Sequence, residues 1–516
     1  MLIDDQSETV AALSSPKAYG KLFGKVDVVD TNICRVFLFG DKAYKLKKGV
    51  KYPYVDYSTP ERRCFSCRRE MTMCERFAPG MCIGVDTVVR DKKGRLTIGS
   101  VCRDGAVETV DYVLVMDRFA DGDFLDEQIQ KGTADRFEIM DLAERIWALH
   151  ADAPAFYNVD GELIIRRRID ENNALIRCFT DIFDVKDVDA LNAAQLKTLN
   201  EQKKLLNQRR DEHHVRLCHG DMRLHNIVMR DGKILLFNPI EFYDDLTHID
   251  VLYDLAYLLM DMSHRGLKRL ASILFNHYML CSGDWDGFPV LPLFMSCRAG
   301  VECYVAAQMA ADTTDPERKK TFADAARAYL VSAREYLDPP PPRLVACGGL
   351  SGSGKSRIAR EIAPFVTVPP GAVVLRDDVF RRELKRVPPD ETLGEESFLA
   401  SDESQVYALM FEKAEKIIRY GHTVILDALF FKPEYRDGAR RLAEKLGVEF
   451  YGFWVDAPLD VRAERVAKRK RNPSDVKSIE TLKNQLNIRV GDIDWHRIDS
   501  SQDRSFTINQ VMDVLK

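Results

Sequence analysis

A glycine-rich segment has the residue types and spacing of a phosphate-binding loop. Gly349-Leu-Ser-Gly-Ser-Gly-Lys-Ser356 fits the pattern G-x-x-x-x-G-K-[ST] at every fixed position. Because glycines let backbone N–H groups approach a phosphate closely, we expect this loop to cradle a nucleotide. Lys355 would reach the β and γ phosphates, and the Ser356 hydroxyl would bind Mg²⁺. The residues predicted to form the cradle are Gly349, Ser351, Gly352, Ser353, Gly354, Lys355 and Ser356.

Carboxylates follow two apolar runs downstream of this loop. Asp377 and Asp378 follow residues 372–375, and Asp427 follows residues 423–426. Ligands of parallel sheets lie at the carboxyl ends of the strands, so we expect these side chains to meet the nucleotide. Asp378 is our first choice for the base that takes a proton from an acceptor hydroxyl, and Asp377 is the second. Asp427 is predicted to bind Mg²⁺ through water, although each carboxylate could instead cap a helix or a turn.

Arginines in the same region could stabilise phosphoryl transfer. Arg381 lies three residues beyond Asp378 and is predicted to act with it. A mobile arginine can neutralise the negative charge on the equatorial oxygens of the transferring group. Arg465 and Arg469 are assigned to the nucleotide, and a solvated basic helix face is the alternative. The arginines that recur on this predicted helix are Arg462, Arg465, Arg469 and Arg471.

A second motif lies earlier in the chain. His219-Gly-Asp-Met-Arg-Leu-His-Asn226 fits H-G-D-x-x-x-x-N, the spacing that a kinase catalytic loop requires. Asp221 would orient an acceptor hydroxyl and take its proton, and Asn226 would hold a metal ion. Arg223 could contact the γ-phosphate. Asp254 lies in an apolar segment and is expected to brace this loop, because a buried carboxylate is costly unless it is hydrogen-bonded.

The elements before this motif supply a lysine and a glutamate. Residues 36–39 and 43–46 are predicted to form a hairpin, which places Lys45 and Lys47 on one strand face. A helix predicted over about residues 61–77 carries Glu70. Lys45 is our choice for the lysine that pairs with the α and β phosphates, and Glu70 for its ion-pair partner. The alternatives are a solvated strand face and a surface helix charge.

Four consecutive prolines divide the chain. Pro339–Pro342 cannot continue a helix or enter a sheet interior. We therefore predict a domain at 1–338, the N-terminal half, a linker at 339–342, and a domain at 343–516, the P-loop half. In the P-loop half, strands at 372–375, 423–426 and 450–455, and another near 506–508, alternate with helical patterns, which predicts an α/β fold with a parallel sheet.

Both halves resemble known families. The N-terminal half is similar to the aminoglycoside phosphotransferase family through AYKLKK, the Glu70 helix, MDRF, HGDMRLHN, FNPIEF and IDVLYDLAYLLMD, which follow in order over most of residues 25–265. This resemblance implies an α+β kinase-like fold with two lobes. The P-loop half resembles the small P-loop NTPase kinases of the AAA family, related to zeta toxins and polynucleotide kinases, through GLSGSGKS, LRDDVFR, VILDALF and NPSDV. The order of the halves resembles a bacterial two-domain fusion.

One departure concerns a metal ligand of the phosphotransferase family. The family places an aspartate in Phe-Asp-x-x-Glu-Phe, whereas this chain has Phe237-Asn-Pro-Ile-Glu-Phe242. Asn238 offers the metal a neutral oxygen, and Mg²⁺ prefers charged oxygen ligands, so we expect weaker metal binding unless Glu241 compensates. In the N-terminal half, nucleotide binding is therefore expected to be more effective than catalysis.

Composition and charge limit the other classes. The chain has 516 residues, 46% of them hydrophobic, and a formal charge of −5, which favours a globular protein over a broadly basic nucleic-acid-binding one. No apolar run approaches the roughly 18 residues of a membrane span, and the first residues lack a signal pattern, so a cytoplasmic protein is expected. The cysteines are read as reduced thiols. Cys64, Cys67 and Cys74 could suggest zinc, but about 15 Å of helix separates Cys64 from Cys74, too far for one site.

The sequence favours an enzyme, with two alternatives left open. The favoured function is an ATP- and Mg²⁺-dependent phosphotransferase with two nucleotide sites and a small-molecule acceptor. One alternative is a nucleotide-dependent switch with a degenerate N-terminal module, and the other is a polynucleotide 5′-hydroxyl kinase, which the net charge does not support. The acceptor and the oligomeric state stay open. A cationic acceptor would need an acidic cleft, for which the candidates are Asp121, Asp123, Asp126, Asp244 and Asp245.

Overall fold

The computed structural model divides the chain into two units. It describes residues 4–52, 55–102, 106–158, 160–230, 232–387, 400–468, 482 and 490–515. The first unit comprises Met1–Ile165 and Lys203–Leu258, and the second comprises Arg166–Gln202 and Leu259–Lys516. The four prolines lie within the second unit, in an irregular segment between a helix and a strand. The domain boundary at 339–342 stays a prediction.

A six-stranded antiparallel sheet forms much of the first unit. The strands of this unit belong to that sheet or to one of three two-stranded sheets, β4-β5, β9-β12 and β10-β11. They are β1 (Asp27–Asp30), β2 (Cys34–Phe39), β3 (Lys42–Lys47), β4 (Lys51–Tyr52), β5 (Val55–Asp56), β6 (Cys82–Asp91), β7 (Leu96–Ile98), β8 (Ala106–Asp117), β9 (Val215–Leu217), β10 (Ile227–Arg230), β11 (Lys233–Leu236) and β12 (His248–Asp250). The order in the large sheet is β1-β2-β3-β8-β6-β7. The predicted hairpin is confirmed, because β2 pairs antiparallel with β3. On β3, Leu46 joins one core cluster and Ala43 another, so the sheet is packed on both faces.

Several helices lie wholly or partly in the first unit. They are α1 (Ser7–Leu13), α2 (Pro60–Phe77), α3 (Leu125–Gln130), α4 (Arg136–Ala151), α5 (Gly161–Ile176), α6 (Val185–Asp211) and α7 (Val251–His264), and the unit boundaries fall inside the last three. The predicted Glu70 helix is confirmed as α2, whose start is capped by the Thr59 hydroxyl. Cys64, Cys67 and Cys74 are buried free thiols on α2.

A five-stranded parallel sheet forms the centre of the P-loop half. Its strands are β13 (Arg343–Gly348), β14 (Val373–Arg376), β15 (Val424–Asp427), β16 (Glu449–Asp456) and β17 (His496–Asp499), in the order β14-β15-β13-β16-β17. The predicted α/β fold is thus confirmed, but the strand predicted near 506–508 is wrong. Those residues lie in a helix that buries Thr507, Val511 and Leu515 at helical spacing. A short apolar run does not distinguish a strand from a buried helix segment.

The remaining helices belong to the second unit. They are α8 (Lys268–Ser282), α9 (Leu291–Asp312), α10 (Pro316–Glu335), α11 (Lys355–Ile362), α12 (Asp377–Lys385), α13 (Ala400–Arg419), α14 (Pro433–Leu446), α15 (Leu459–Ala467) and α16 (Arg504–Leu515). Asn276 of α8 donates a hydrogen bond to the Ala372 carbonyl at 3.1 Å and accepts one from the Val374 N–H at 2.7 Å. Because β14 is an edge strand, Asn276 satisfies backbone groups that would otherwise lack a strand partner.

One helical stretch is apolar enough to be compared with a membrane span. Residues Trp285–Asp312 reach a mean hydropathy of 1.3 in their most apolar window, and 72% of that window is buried inside the protein. The core helix of a soluble protein meets the same criteria, so this stretch is weak support for a span.

Candidate functional site

The glycine-rich loop has a backbone shape that only glycine accommodates. Gly349 has φ 143°, and a Cβ atom there would lie 2.5 Å from the Val455 carbonyl oxygen. Gly352 has φ 82°, and its Cβ would lie 2.7 Å from the Arg462 carbonyl oxygen. The Ser353 hydroxyl is buried and has no hydrogen-bond partner among the described residues. The loop backbone leaves no room for side chains at these glycines, and it carries a hydroxyl that lacks a partner among the described residues. Both features fit a site for the phosphates of a nucleotide.

Two hard oxygen ligands lie together at the end of this loop. Ser356 is the second residue of α11, and its Oγ donates to Asp427 Oδ1 at 3.1 Å. Asp427 ends β15, which pairs in parallel with β13 beside the loop, and is only 2% exposed. A hydroxyl and a buried carboxylate at this distance fit a Mg²⁺ ion that keeps several of its waters.

The two neighbouring aspartates have different environments. The Asp378 Oδ2 accepts a 2.6 Å hydrogen bond from Arg376. Asp378, our first choice for the base, is therefore already paired with a cation. Asp377 is partly buried, and burial raises its pKa to about 6, assisted by the charges of Asp378 and Asp427 and opposed by Lys355 and Arg381. A carboxylate that titrates near neutrality beside the P-loop lysine is better suited to take a proton than one bound to an arginine.

Two of the predicted arginines donate hydrogen bonds to backbone carbonyls of the glycine-rich loop. Arg462 donates to the Ser351 carbonyl at 2.8 Å, and Arg465 donates to the Ser353 carbonyl at 3.2 Å. Arg381 is buried, and its charge acts on Asp377. The predicted positions Arg469 and Arg471 and the motif NPSDV lie outside the described residues. Arg462 and Arg465 therefore hold the loop through its carbonyls, a role that their spacing alone did not indicate.

The predicted lysine–glutamate pair of the N-terminal half forms and extends to Asn238. Lys45 Nζ lies 2.6 Å from Glu70 Oε1 and 2.7 Å from Asn238 Oδ1. Burial opposes ionisation of Glu70, but the charges of Lys45 and Lys47 dominate and lower its pKa to about 2. The three predicted residues are thus brought together by β3, α2 and the segment after β11.

A second lysine enters the same network, which the sequence interpretation missed. Lys47 Nζ lies 2.8 Å from Glu70 Oε2 and also pairs with Glu241. The Tyr57 hydroxyl donates to Glu241 at 2.5 Å, and Lys47 is 1% exposed. Glu241 is therefore occupied by a buried cation in this structure, which argues against its compensating for Asn238 at a metal. The shared face of Lys45 and Lys47 was the only signal in the sequence.

The catalytic-loop residues also lie together. The Asp221 carboxylate accepts hydrogen bonds from Arg223 Nε at 2.6 Å and Nη2 at 2.9 Å, and from Asn226 Nδ2 at 2.9 Å. Burial alone would raise the pKa of Asp221, but Arg223 lowers it to about 2. The Phe237 N–H donates to the Asn226 carbonyl at 2.9 Å, which connects this loop to the segment of Asn238.

Asp254 braces the loop, as predicted. Its two carboxylate oxygens accept the backbone N–H groups of His219 and Gly220, each at 2.9 Å. His150 Nε2 lies 3.3 Å from the same carboxylate, so it is part of the buried support. With these partners, Asp254 holds the backbone of the catalytic loop in place.

Two family models match the chain in the predicted order. Residues 118–290 match the phosphotransferase enzyme family, and residues 344–487 match an AAA domain. The two resemblances and the fold class are therefore confirmed, and both halves are related to kinases.

The chain is also similar to individual proteins. An uncharacterized protein of Mycobacterium tuberculosis is 28% identical over 506 residues, 95% of each chain. An adenylyl-sulfate kinase of Myxococcus xanthus is 32% identical over 120 residues, 23% of this chain and 60% of the relative. The crystal structure of a choline kinase from Cryptosporidium parvum matches 64% of this chain and 94% of its own, with 9% identity and a TM-score of 0.40.

Proposed function

We propose that the chain is an ATP- and Mg²⁺-dependent phosphotransferase with two nucleotide sites. The P-loop half would transfer the γ-phosphate to a hydroxyl of a small molecule, and the N-terminal half would provide the second site. The observation that carries the proposal is the Ser356–Asp427 contact at 3.1 Å beside Asp377, whose pKa lies near neutrality. Free thiols at all twelve cysteines, together with the need for ATP, support a cytoplasmic setting.

Each residue of the P-loop site has a defined part in this proposal. The backbone of residues 349–354 binds the phosphates, and Lys355 neutralises charge on them. Ser356 and Asp427 would hold Mg²⁺, which when bound neutralises further phosphate charge. Asp377 takes the proton of the acceptor hydroxyl. The hydroxyl oxygen bonds to the γ-phosphorus, and the bond between the γ-phosphorus and the β–γ bridging oxygen breaks. Arg462 and Arg465 keep the loop in the required shape.

The pH dependence of the P-loop reaction follows from Asp377. Its pKa is raised from 3.8 to about 6, so the fraction in the basic form decreases as the pH falls through about 6. We expect kcat to fall about tenfold per pH unit below that value. The measurement is kcat against pH between about 5 and 8 in an Asp221→Ala background. A rate that stays level down to about pH 5 would contradict the role of Asp377.

Asn238 limits the N-terminal site in this proposal. Its φ of 59° is in the left-handed region, which Asp tolerates nearly as well as Asn, so Asn238→Asp should fold normally. The added charge should strengthen Mg²⁺ binding and raise phosphoryl transfer by this half about tenfold or more, since changes around bound metals typically alter affinity by about 10–100-fold. Transfer is measured in a Lys355→Ala background. An unchanged rate there would count against the prediction.

A second candidate function has one observation in its favour. Lys45 already pairs with Glu70 while its other partner is a neutral amide, Asn238. Such a site can bind a nucleotide without efficient transfer, which is the behaviour of a regulatory module beside a nucleotide-dependent P-loop switch.

One experiment distinguishes these functions. Labelled γ-phosphate from ATP is offered to pooled aminoglycosides, sugars, nucleosides and 5′-hydroxyl RNA, with the wild type, Lys355→Ala and Asp221→Ala in parallel. Product lost only in Lys355→Ala assigns the reaction to the P-loop half, and product lost only in Asp221→Ala assigns it to the N-terminal half. Labelled RNA would identify a polynucleotide kinase. ATP binding with no labelled acceptor would favour the switch.

A further inference from the structure

The catalytic carboxylate of the N-terminal half is held by a cation from its own loop. Arg223 donates to both oxygens of Asp221, from Nε at 2.6 Å and from Nη2 at 2.9 Å. The Arg223 guanidinium also lies over the ring of Tyr257, 5.2 Å from its centroid. The side chains of Arg223 and Asp221 are 22% and 16% exposed, so solvent and small ligands reach the pair.

This arrangement affects proton transfer directly. A carboxylate whose two oxygens accept a two-point hydrogen bond from an arginine is a weak base, because the contact favours its charged form. A second carboxylate or a phosphate offers the guanidinium the same two-point geometry, because the arginine donors form a rigid planar fork. An anionic ligand can therefore compete with Asp221 for Arg223.

Four of the five candidate acidic residues have contacts of their own. Asp244 pairs with Arg69, and the Asp245 carboxylate accepts from the Tyr243 hydroxyl at 3.1 Å. Asp123 and Asp126 accept backbone N–H groups of their own segment at 2.8 and 2.9 Å. Of these carboxylates, Asp244 has its charge paired by an arginine, and the Asp221 carboxylate has the positive charge of Arg223 beside it.

We propose that the acceptor of the N-terminal site is a small hydroxyl compound bearing a carboxylate or phosphate group, and that Arg223 selects it. The inference rests on the proposed phosphotransferase function. The anionic group of the acceptor accepts the two hydrogen bonds of the Arg223 guanidinium, and the Asp221 carboxylate is released from that arginine. Asp221 then accepts the proton of the acceptor hydroxyl while that oxygen bonds to the γ-phosphorus of ATP, the bond to the β–γ bridging oxygen breaks, and ADP leaves. A neutral or cationic acceptor leaves the Arg223–Asp221 pair closed.

The test uses the full chain with Lys355→Ala, so that transfer reports the N-terminal half. Matched acceptors are glycerol, glycerate, glycerol phosphate, glucose, gluconate and, as a cation, choline. We expect kcat/KM for one anionic class to exceed that for the neutral and cationic compounds at least about tenfold, the scale of one charge-assisted two-point contact.

Three variants test the role of Arg223 in this preference. Arg223→Gln should remove the preference for anionic acceptors. Arg223→Lys should restore it in part, because the lysine returns the charge but not the planar pair of N–H donors. Arg90→Gln, on β6, removes the same charge elsewhere and is the control.

Binding provides a second readout. Calorimetric titration with gluconate and glycerol phosphate should lose one anion site in Arg223→Gln and keep it in Arg90→Gln. If that site is present but no acceptor is phosphorylated, the inference stands and the proposed activity of this half fails. If neutral or cationic acceptors react as well as anionic ones and Arg223→Gln changes nothing, the activity stands and the inference is overturned. Absence of both the anion site and transfer also overturns the inference.

Discussion

Asp377→Asn should lower the kcat of the P-loop half by about 10²–10⁴-fold, the range that general-base catalysis contributes. The substitution keeps the shape of the side chain and removes its ability to take the acceptor proton. Asp378→Asn should have a smaller effect, because Asp378 is bound to Arg376 at 2.6 Å. Both variants are measured by transfer of labelled γ-phosphate in an Asp221→Ala background, where the N-terminal half does not contribute.

Stability and nucleotide affinity provide the controls for this comparison. Burial and the charges of Asp378 and Asp427 disfavour the ionised form of Asp377, so removal of its charge should not destabilise the fold at neutral pH. Asp377→Asn should therefore unfold at the same denaturant concentration as the wild type and bind ATP with similar affinity. If Asp378→Asn reduces kcat more than Asp377→Asn, our first choice from the sequence was correct and the assignment to Asp377 is wrong.

Lys47→Met should lower the free energy of unfolding by about 3–5 kcal/mol, which is the cost of leaving a buried ion without its partner. Lys47 is 1% exposed and holds Glu70 at 2.8 Å, and it also pairs with Glu241. Glu70 would retain Lys45, but Glu241 would retain, among the described residues, the Tyr57 hydroxyl and no cation. Domains are typically stable by only about 5–15 kcal/mol, so this loss should be easily measured.

The adjacent lysine is the matched control. Lys48 pairs with Asp30, and their side chains are 20% and 53% exposed. Exposed pairs typically contribute about 0–1 kcal/mol, so Lys48→Met should change stability little. The measurement is the midpoint of the first unfolding transition in urea, followed by circular dichroism. Equal midpoints for the two variants would show that the Lys47 network does not stabilise the N-terminal half.

Local motifs could be recognised from the sequence because their chemistry depends on neighbours in the chain. Residues 349–356 have the pattern that predicts phosphate binding through consecutive backbone groups, and residues 219–226 have the pattern that predicts a base and a metal ligand on one loop. The Glu70 helix and the hairpin with Lys45 were also predictable, because periods of 3.6 and 2 residues define which side chains share a face. The helix at residues 504–515 was not, because the short run at residues 506–508 carries no reliable period.

The sequence by itself determined the two nucleotide-site motifs, the parallel sheet of the P-loop half and the absence of an aspartate at position 238. Only the tertiary structure decided which carboxylates form ion pairs. Arg376 pairs with Asp378, Arg223 pairs with Asp221, and Lys47 pairs with Glu241, 194 residues away in the chain. Such pairs depend on the distances and orientations of side chains in the folded chain and on burial, which strengthens an ion pair and shifts the pKa of its members. A linear pattern contains neither quantity, so the choice between Asp377 and Asp378 required the folded chain.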